Sequence, residues 1–276
     1  MAKGLSLHIG LNSVNPKNYA GWSGPLAACE LDASDMQAIA KFNGFKPKVL
    51  LTKKATRKTV QTALASAAAA LKAGDMFFLS YSGHGGMVPD RNNDESDGQD
   101  ETWCLYDGEM LDDELNYLYS RFRAGVRILV LSDSCHSGTV TRNRLAEAMA
   151  INTPGPARVY RAMPRDQAIS TYMAHQEFYD NIQTRAELKA PDIKASVLLI
   201  SGCQDSQLSL DGTFNGLFTG TLKSVWNGGT FKGGYKKLHK SIVNQMPSDQ
   251  TPNYFFTGGA NKEFEEQKPF SIQLQE

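Results

Sequence analysis

Val126 to Gly138 reads V-R-I-L-V-L-S-D-S-C-H-S-G. Its first half is apolar and β-branched, with a length that suits a strand buried on both faces. It then stops in small polar residues, Ser132 to Gly138, and places a thiol, Cys135, at the strand's C-terminal end. That end is the edge on which open α/β sheets gather their chemistry. A lone cysteine there is most often a structural residue. A second stretch of the same kind, D-M-F-F-L-S running into Y-S-G-H-G-G over Asp75 to Gly86, sets a histidine, His84, at the end of another buried strand.

The surrounding sequence alternates strand and helix. Leu5 to Leu11 reads as a first strand, in which His8 is a satisfied strand histidine. A helix over Glu30 to Phe42 follows, with Cys29, Glu30 and Asp32 at its entrance, where acids suit the helix dipole. Lys48 to Leu51 is a short strand, and Thr56 caps an Ala-rich helix with Val60, Leu64, Ala67 and Leu71 on one face. After His84 an acidic segment (Asp90, Asp94, Glu95, Asp97, Asp100, Glu101) reads as a loop, then Asp112 and Asp113 introduce a short helix. Beyond the cysteine, Ser196 to Ser201 and Asn253 to Phe256 read as strands, with amphipathic helices over Asn215 to Trp226 and Lys236 to Met246. This alternation predicts an α/β fold with a mainly parallel, doubly wound sheet. Thr139 to Pro191 differs: it carries Arg142, Arg144, Arg158, Arg161 and Arg165 among prolines and glycines, with weak helical periodicity near Gln167 to Leu188, and reads as a long, exposed connection.

Composition removes several function classes. The 276 residues hold 29 Lys+Arg and 29 Asp+Glu, so no global basic field draws nucleic acid. No apolar run reaches the ~18 residues of a membrane span, and the N-terminus has no signal-peptide core. Cys29, Cys104, Cys135 and Cys203 have no paired spacing, so reduced thiols and a cytoplasmic location are expected. No glycine-rich phosphate loop follows a strand, which leaves a nucleotide-binding reading without its motif. Nothing in the sequence calls for an oligomer, and a monomer is expected.

A thiol peptidase needs a deprotonatable thiol, a proton carrier and donors for the developing oxyanion. Cys135 and His84 supply the first two if their strands are neighbours. The adjacent His136 is set aside because consecutive strand-end side chains diverge. The N–H groups of Gly85 and Cys135 are the candidate oxyanion hole, and glycine allows close approach.

S-G-H-G after one strand and D-S-C-H-S-G after the next resemble the caspase-like cysteine peptidases, most of all the metacaspases and their prokaryotic relatives, the orthocaspases. C-E-L-D-A-S-D-M at Cys29, D-G-Q-D-E at Asp97 and S-G-C-Q-D-S at Ser201 carry the same likeness. The resemblance implies a caspase-hemoglobinase fold, a mostly parallel six-stranded sheet flanked by helices on both faces. It implies one caspase-like domain over 1–276, with a large-subunit-like part (1–138), a connecting segment (139–191) and a small-subunit-like part (192–276). It also implies His84 and Cys135 as a catalytic dyad, and an S1 pocket at Cys29, Asp32, Ser82 and Asp133. Caspases carry glutamine two residues before the nucleophile, whereas Asp133 stands there in this chain. Two carboxylates in a partly desolvated pocket favour a cation and repel an acidic P1 side chain. The expected activity is therefore hydrolysis of polypeptides after Arg or Lys without an organic cofactor, and an arginine-bearing 139–191 segment is an expected site of self-cutting. The alternative is a catalytically silent interaction module, a pseudoprotease. Many metacaspases need calcium, and the matching acids are Asp100, Asp112 and Asp113. A further acid that some members carry soon after the nucleophile has no counterpart between Thr139 and Arg144.

Overall fold

The computed structural model describes residues 2–91, 98–135, 159–185, 188, 192–203 and 209–274. Six strands form the central sheet: β1 (Gly4–Gly10), β2 (Lys46–Leu51), β3 (Met76–Ser82), β7 (Arg127–Asp133), β8 (Ser196–Ser201) and β9 (Asn253–Gly258). Their order is β2-β1-β3-β7-β8-β9. All neighbours pair in parallel except β9, which closes the edge antiparallel to β8.

Strand alternation splits the core between the two faces. Phe77, Leu79, Ile128 and Val130 pack on one side beneath α2 (Arg57–Ala70) and α3 (Asp112–Ser120). Phe78, Leu129 and Leu131 pack on the other beneath α1 (Cys29–Phe42), α6 (Leu217–Trp226) and α7 (Tyr235–Val243). Each such fully buried side chain stabilises the fold by about 1.5–3 kcal/mol. Thr56 starts α2 through a reciprocal capping box with Thr59, as its position in the sequence predicts. His8 is a satisfied core residue, with Nδ1 against Ser80 Oγ and Nε2 against Ser6 Oγ, each at 2.9 Å.

Two expectations are corrected. The segment after His84 is not simply an acidic loop: β4 (Gly85–Pro89), β5 (Gln99–Leu105) and β6 (Gly108–Leu111) form a separate antiparallel sheet. The charges of Asp100 and Glu101 disguised β5, whose Trp103 ring stacks on Tyr81 at 4.4 Å. The 139–191 connection is not exposed throughout either. Residues 139–158 lie outside the described residues, but Arg161 and Met163 are buried. Two helices follow them, α4 (Arg165–Ala174) and α5 (Gln176–Gln183). A short helix α8 (Lys262–Glu266), absent from the periodicity reading, packs Phe264 under the sheet.

Candidate active site

β3 and β7 are neighbours in register, so Ser82 stands opposite Asp133 at the C-terminal edge, and Gly10 of β1 stands opposite Ser82. The chain leaves that edge at two adjacent points, through His84 after β3 and Cys135 after β7. The backbone around His84 is clamped: Tyr81 Oη donates to its carbonyl at 2.7 Å and the Cys104 N–H at 3.0 Å.

His84 is buried, and burial pulls its pKa down to about 4, so it is neutral near pH 7. Its Nε2 lies 3.1 Å from the Gly24 carbonyl oxygen. A carbonyl can only accept, so Nε2 carries the ring proton and Nδ1 keeps its lone pair. Nδ1 has no hydrogen-bond partner among the described residues. The Trp22 ring lies 4.7 Å from the imidazole and fixes its plane.

Cys135 is fully buried, and its Sγ accepts the Ser209 N–H. The two N–H groups singled out as oxyanion donors meet on one atom, the carbonyl oxygen of Arg161: Gly85 donates at 3.0 Å and Cys135 at 3.1 Å. The Arg161 side chain fills the pocket whose walls include Asp32, Ser82 and Asp133. Nη2 lies 2.7 Å from Asp32 Oδ2, Nη1 lies 3.0 Å from Asp133 Oδ2, and Nη1 donates to Ser82 Oγ at 2.8 Å. A third carboxylate, Asp211, accepts from Nε at 3.2 Å and Nη2 at 2.8 Å.

Two of the pocket's acids, Asp32 and Asp133, accept hydrogen bonds from the start of α6. Asp32 Oδ1 accepts the Gly216 N–H at 3.1 Å and Asn215 Nδ2 at 2.8 Å. Asp133 Oδ2 accepts the Thr219 N–H at 3.0 Å and its hydroxyl at 2.7 Å, while Oδ1 accepts from Ser209 Oγ at 2.8 Å. A helix N-terminus stabilises such anions. Burial still pushes the Asp32 pKa up, with the Arg161 charge opposing it and the Asp133 charge adding to it. Burial works to lower the Arg161 pKa, but Asp133, Cys29, Asp32 and Asp211 more than reverse it, so the guanidinium stays charged. Cys29, at the start of α1, is fully buried, and burial raises its thiol to about 12. It is a neutral wall beside Ser82 and Arg161, not a charged contact.

A family model of the caspase domain matches residues 13–265. The chain belongs to the caspase domain family. Among relatives it is similar to Metacaspase-1 of Mycosarcoma maydis, 31% identical over 259 residues that cover 83% of this chain and 61% of that protein. Metacaspase-1 of Schizosaccharomyces pombe is 28% identical over 252 residues, covering 80% of this chain and 58% of that protein. The chain thus spans less than two thirds of the length of these curated relatives. The crystal structure of protein GSU0716 from Geobacter sulfurreducens is 55% identical, covers 98% of this chain and 99% of that one, and superposes with a TM-score of 0.88. Caspase-1 from Spodoptera frugiperda, at 12% identity, covers 93% of this chain and 86% of that one with a TM-score of 0.52, a likeness of fold alone.

Within this caspase-domain frame, sequence reasoning missed Asp211, Gly216, Ser209, Trp22 and the Gly24 carbonyl, and it took Arg161 for an exposed arginine. The alternation L-S-L-D before Gly212 was a readable strand signal for Ser209 and Asp211. The calcium expectation gains no support. No three His, Cys, Asp or Glu groups gather as a metal site among the described residues, and Asp100, Asp112 and Asp113 are not brought together. Asp112 and Asp113 stand in the first turn of α3, and Asp100 belongs to β5. His136 lies outside the described residues, as do Asp94, Glu95 and Asp97 of the acidic segment. No helix among the described residues is long and apolar enough to cross a membrane.

Proposed function

We propose that this chain is a cysteine endopeptidase that hydrolyses polypeptides after arginine, and after lysine less efficiently, with Cys135 as nucleophile and His84 as proton carrier. One observation carries the reading: an arginine, Arg161, has its carbonyl oxygen on two N–H donors beside Cys135 and its guanidinium among three carboxylates. Gly85 and Cys135 are then the oxyanion hole, and the bare Nδ1 of neutral His84 takes the thiol proton and passes it to the leaving amine. Backbone continues on both sides of Arg161 through the site, which supports cleavage within a chain.

Asp32, Asp133 and Asp211, with Ser82, form the S1 pocket. With arginine bound, three carboxylates face one guanidinium, so an acidic P1 residue would add like charge in a desolvated site. Lysine keeps the charge but lacks the planar fork that reaches Asp32, Asp133 and Asp211 together. A positional scan of peptide substrates tests the reading. Turnover should be confined to Arg and Lys at P1 and vanish in Cys135→Ala and His84→Ala. Efficient cutting after Asp, or activity that survives Cys135→Ala, would defeat it.

A further inference from the structure

Beyond the arginine pocket the cleft has a second set of contacts. Ala162 pairs in parallel with Gly85, and the Met163 N–H donates to the Gly85 carbonyl at 2.7 Å. A polypeptide held as Arg161 is held therefore runs along β4 as an added strand, the way proteins grip extended peptides. Its second residue past the cut bond, P2′, takes the place of Met163. Met163 is buried beside Val14, Tyr19 and Cys104.

The floor of this pocket is one face of the small sheet. Thr102 of β5 stands opposite Gly86, and Cys104 stands opposite Glu109 of β6. Thr102 and Cys104 are two residues apart in one strand, so all four share a face. A Cβ added at Gly86 would strike Glu109 Oε2 and lie 2.7 Å from Met163 Cε. The missing side chain thus leaves a short path between the Met163 methyl and a carboxyl group. Glu109 is fully buried; its Oε2 accepts the Thr102 hydroxyl at 2.5 Å, and its Oε1 has no hydrogen-bond partner among the described residues. The nearby Arg57 donates to the Glu109 backbone carbonyl and pairs with Glu114 at 2.7 Å, not with the Glu109 carboxyl. Burial pushes that carboxyl up to about 7, against the Thr102 hydrogen bond and the Arg57 charge. A buried carboxyl with a bare oxygen calls for a donor. Methionine supplies none. Lysine follows methionine atom for atom to Cε and then adds Nζ, one bond further. An ammonium there would keep the carboxylate ionised and give it a charge-assisted hydrogen bond.

We propose that Glu109 determines specificity on the primed side: the pocket that Met163 fills takes a long unbranched P2′ side chain and prefers lysine, whose ammonium Glu109 receives. This rests on the peptidase reading above and narrows its substrate class. The favoured substrate is a basic polypeptide of the pattern Arg-Xaa-Lys, cut after the arginine.

The test compares the full native chain with Glu109→Gln on peptides that differ only at P2′. Each has Arg at P1 and Ala at P1′, with Lys, norleucine, Gln or Glu at P2′. Mass spectrometry counts only the cut after that arginine. In the native chain kcat/KM with Lys should exceed that with norleucine, which ends at Cε, at least about fivefold. Glu should trail the isosteric Gln at least about tenfold, because two carboxylates would meet in a buried site. Glu109→Gln keeps an oxygen for the Thr102 hydroxyl, and in it both ratios should fall toward one. A merely structural Glu109 would lower all four rates together and leave the ratios standing, which overturns the proposal. A native chain that cuts all four peptides alike overturns it too, and the peptidase reading survives either result. If no Arg peptide is cut at all, the peptidase reading falls and this inference with it. Should Glu109→Gln fail to fold, Gly86→Ala takes its place, since the new methyl closes the path to Oε2. A Lys lead that persists in Gly86→Ala overturns the proposal.

Discussion

Gly216→Ala is the cleanest way to probe the arginine pocket. Gly216 precedes α6 with φ −59° and ψ 152°, a conformation alanine adopts without strain. An added Cβ would lie 2.4 Å from Arg161 Nη1, 2.5 Å from Cζ and 2.6 Å from Nη2. Non-bonded carbon and nitrogen rest about 3.5 Å apart, so the guanidinium must withdraw by roughly 1 Å. Overpacking of that size costs about 1–3 kcal/mol. At 1.36 kcal/mol per tenfold, that is a loss of about 5- to 150-fold in kcat/KM for Arg substrates. Lysine has no Nη atoms, so its ammonium can move away from the new methyl while staying among the carboxylates. The Arg-over-Lys preference should therefore shrink or invert. The assay is kcat/KM with matched fluorogenic peptides ending in Arg or Lys, on enzyme normalised by thiol titration. The reasoning is refuted if folded Gly216→Ala keeps both its Arg kcat/KM and its Arg/Lys ratio.

Asp211→Asn keeps an oxygen for the Ala27 N–H, now 2.8 Å from Oδ2, but turns an amide donor toward the guanidinium. Losing charge-assisted bonds worth about 1.5–3 kcal/mol should cut Arg kcat/KM by tenfold or more, with a smaller effect on thiol alkylation. Asp133→Asn should do more harm, because Thr219 and Ser209 also depend on that carboxylate, and a lowered Tm by calorimetry should accompany the loss. Tyr81→Phe removes the hydroxyl that bonds the His84 and Cys104 carbonyls; chemical denaturation should read about 1–3 kcal/mol of lost stability. Burial holds His8 at about 3 against its ordinary 6.5, so between those values the unfolded chain binds the extra proton. Stability should therefore fall as pH drops from 6.5 toward 3, by up to about 1.4 kcal/mol per pH unit from this residue. Urea midpoints at pH 7, 6 and 5 should show a flatter decline in His8→Gln than in the native chain.

The strand ends, the parallel α/β alternation and the pairing of Cys135 with His84 were legible because each rests on a local pattern. A run of β-branched residues that ends in small polar ones marks a buried strand and its exposed edge wherever it stands. Asp133 and Ser82 were assigned to one site by the resemblance to metacaspases, not by a local pattern of their own. β5 escaped notice because its acids hide an alternation that only pairing with β4 and β6 makes favourable.

Tertiary structure decided what fills the pocket. From sequence, Arg161 was one arginine among several in a Pro/Gly-bearing stretch, and arginine is seldom fully buried unless paired. Its partners are Asp32 from α1, Asp133 from β7 and Asp211 from the strand-like segment after β8, between 28 and 129 residues away in the chain. Burying that charge costs several kcal/mol by itself. Only the convergence of three carboxylates, two of them resting on the start of α6, offsets the cost. No local periodicity encodes such a meeting, because the favourable energy exists only after β1, β3 and β7 have set their C-terminal ends side by side.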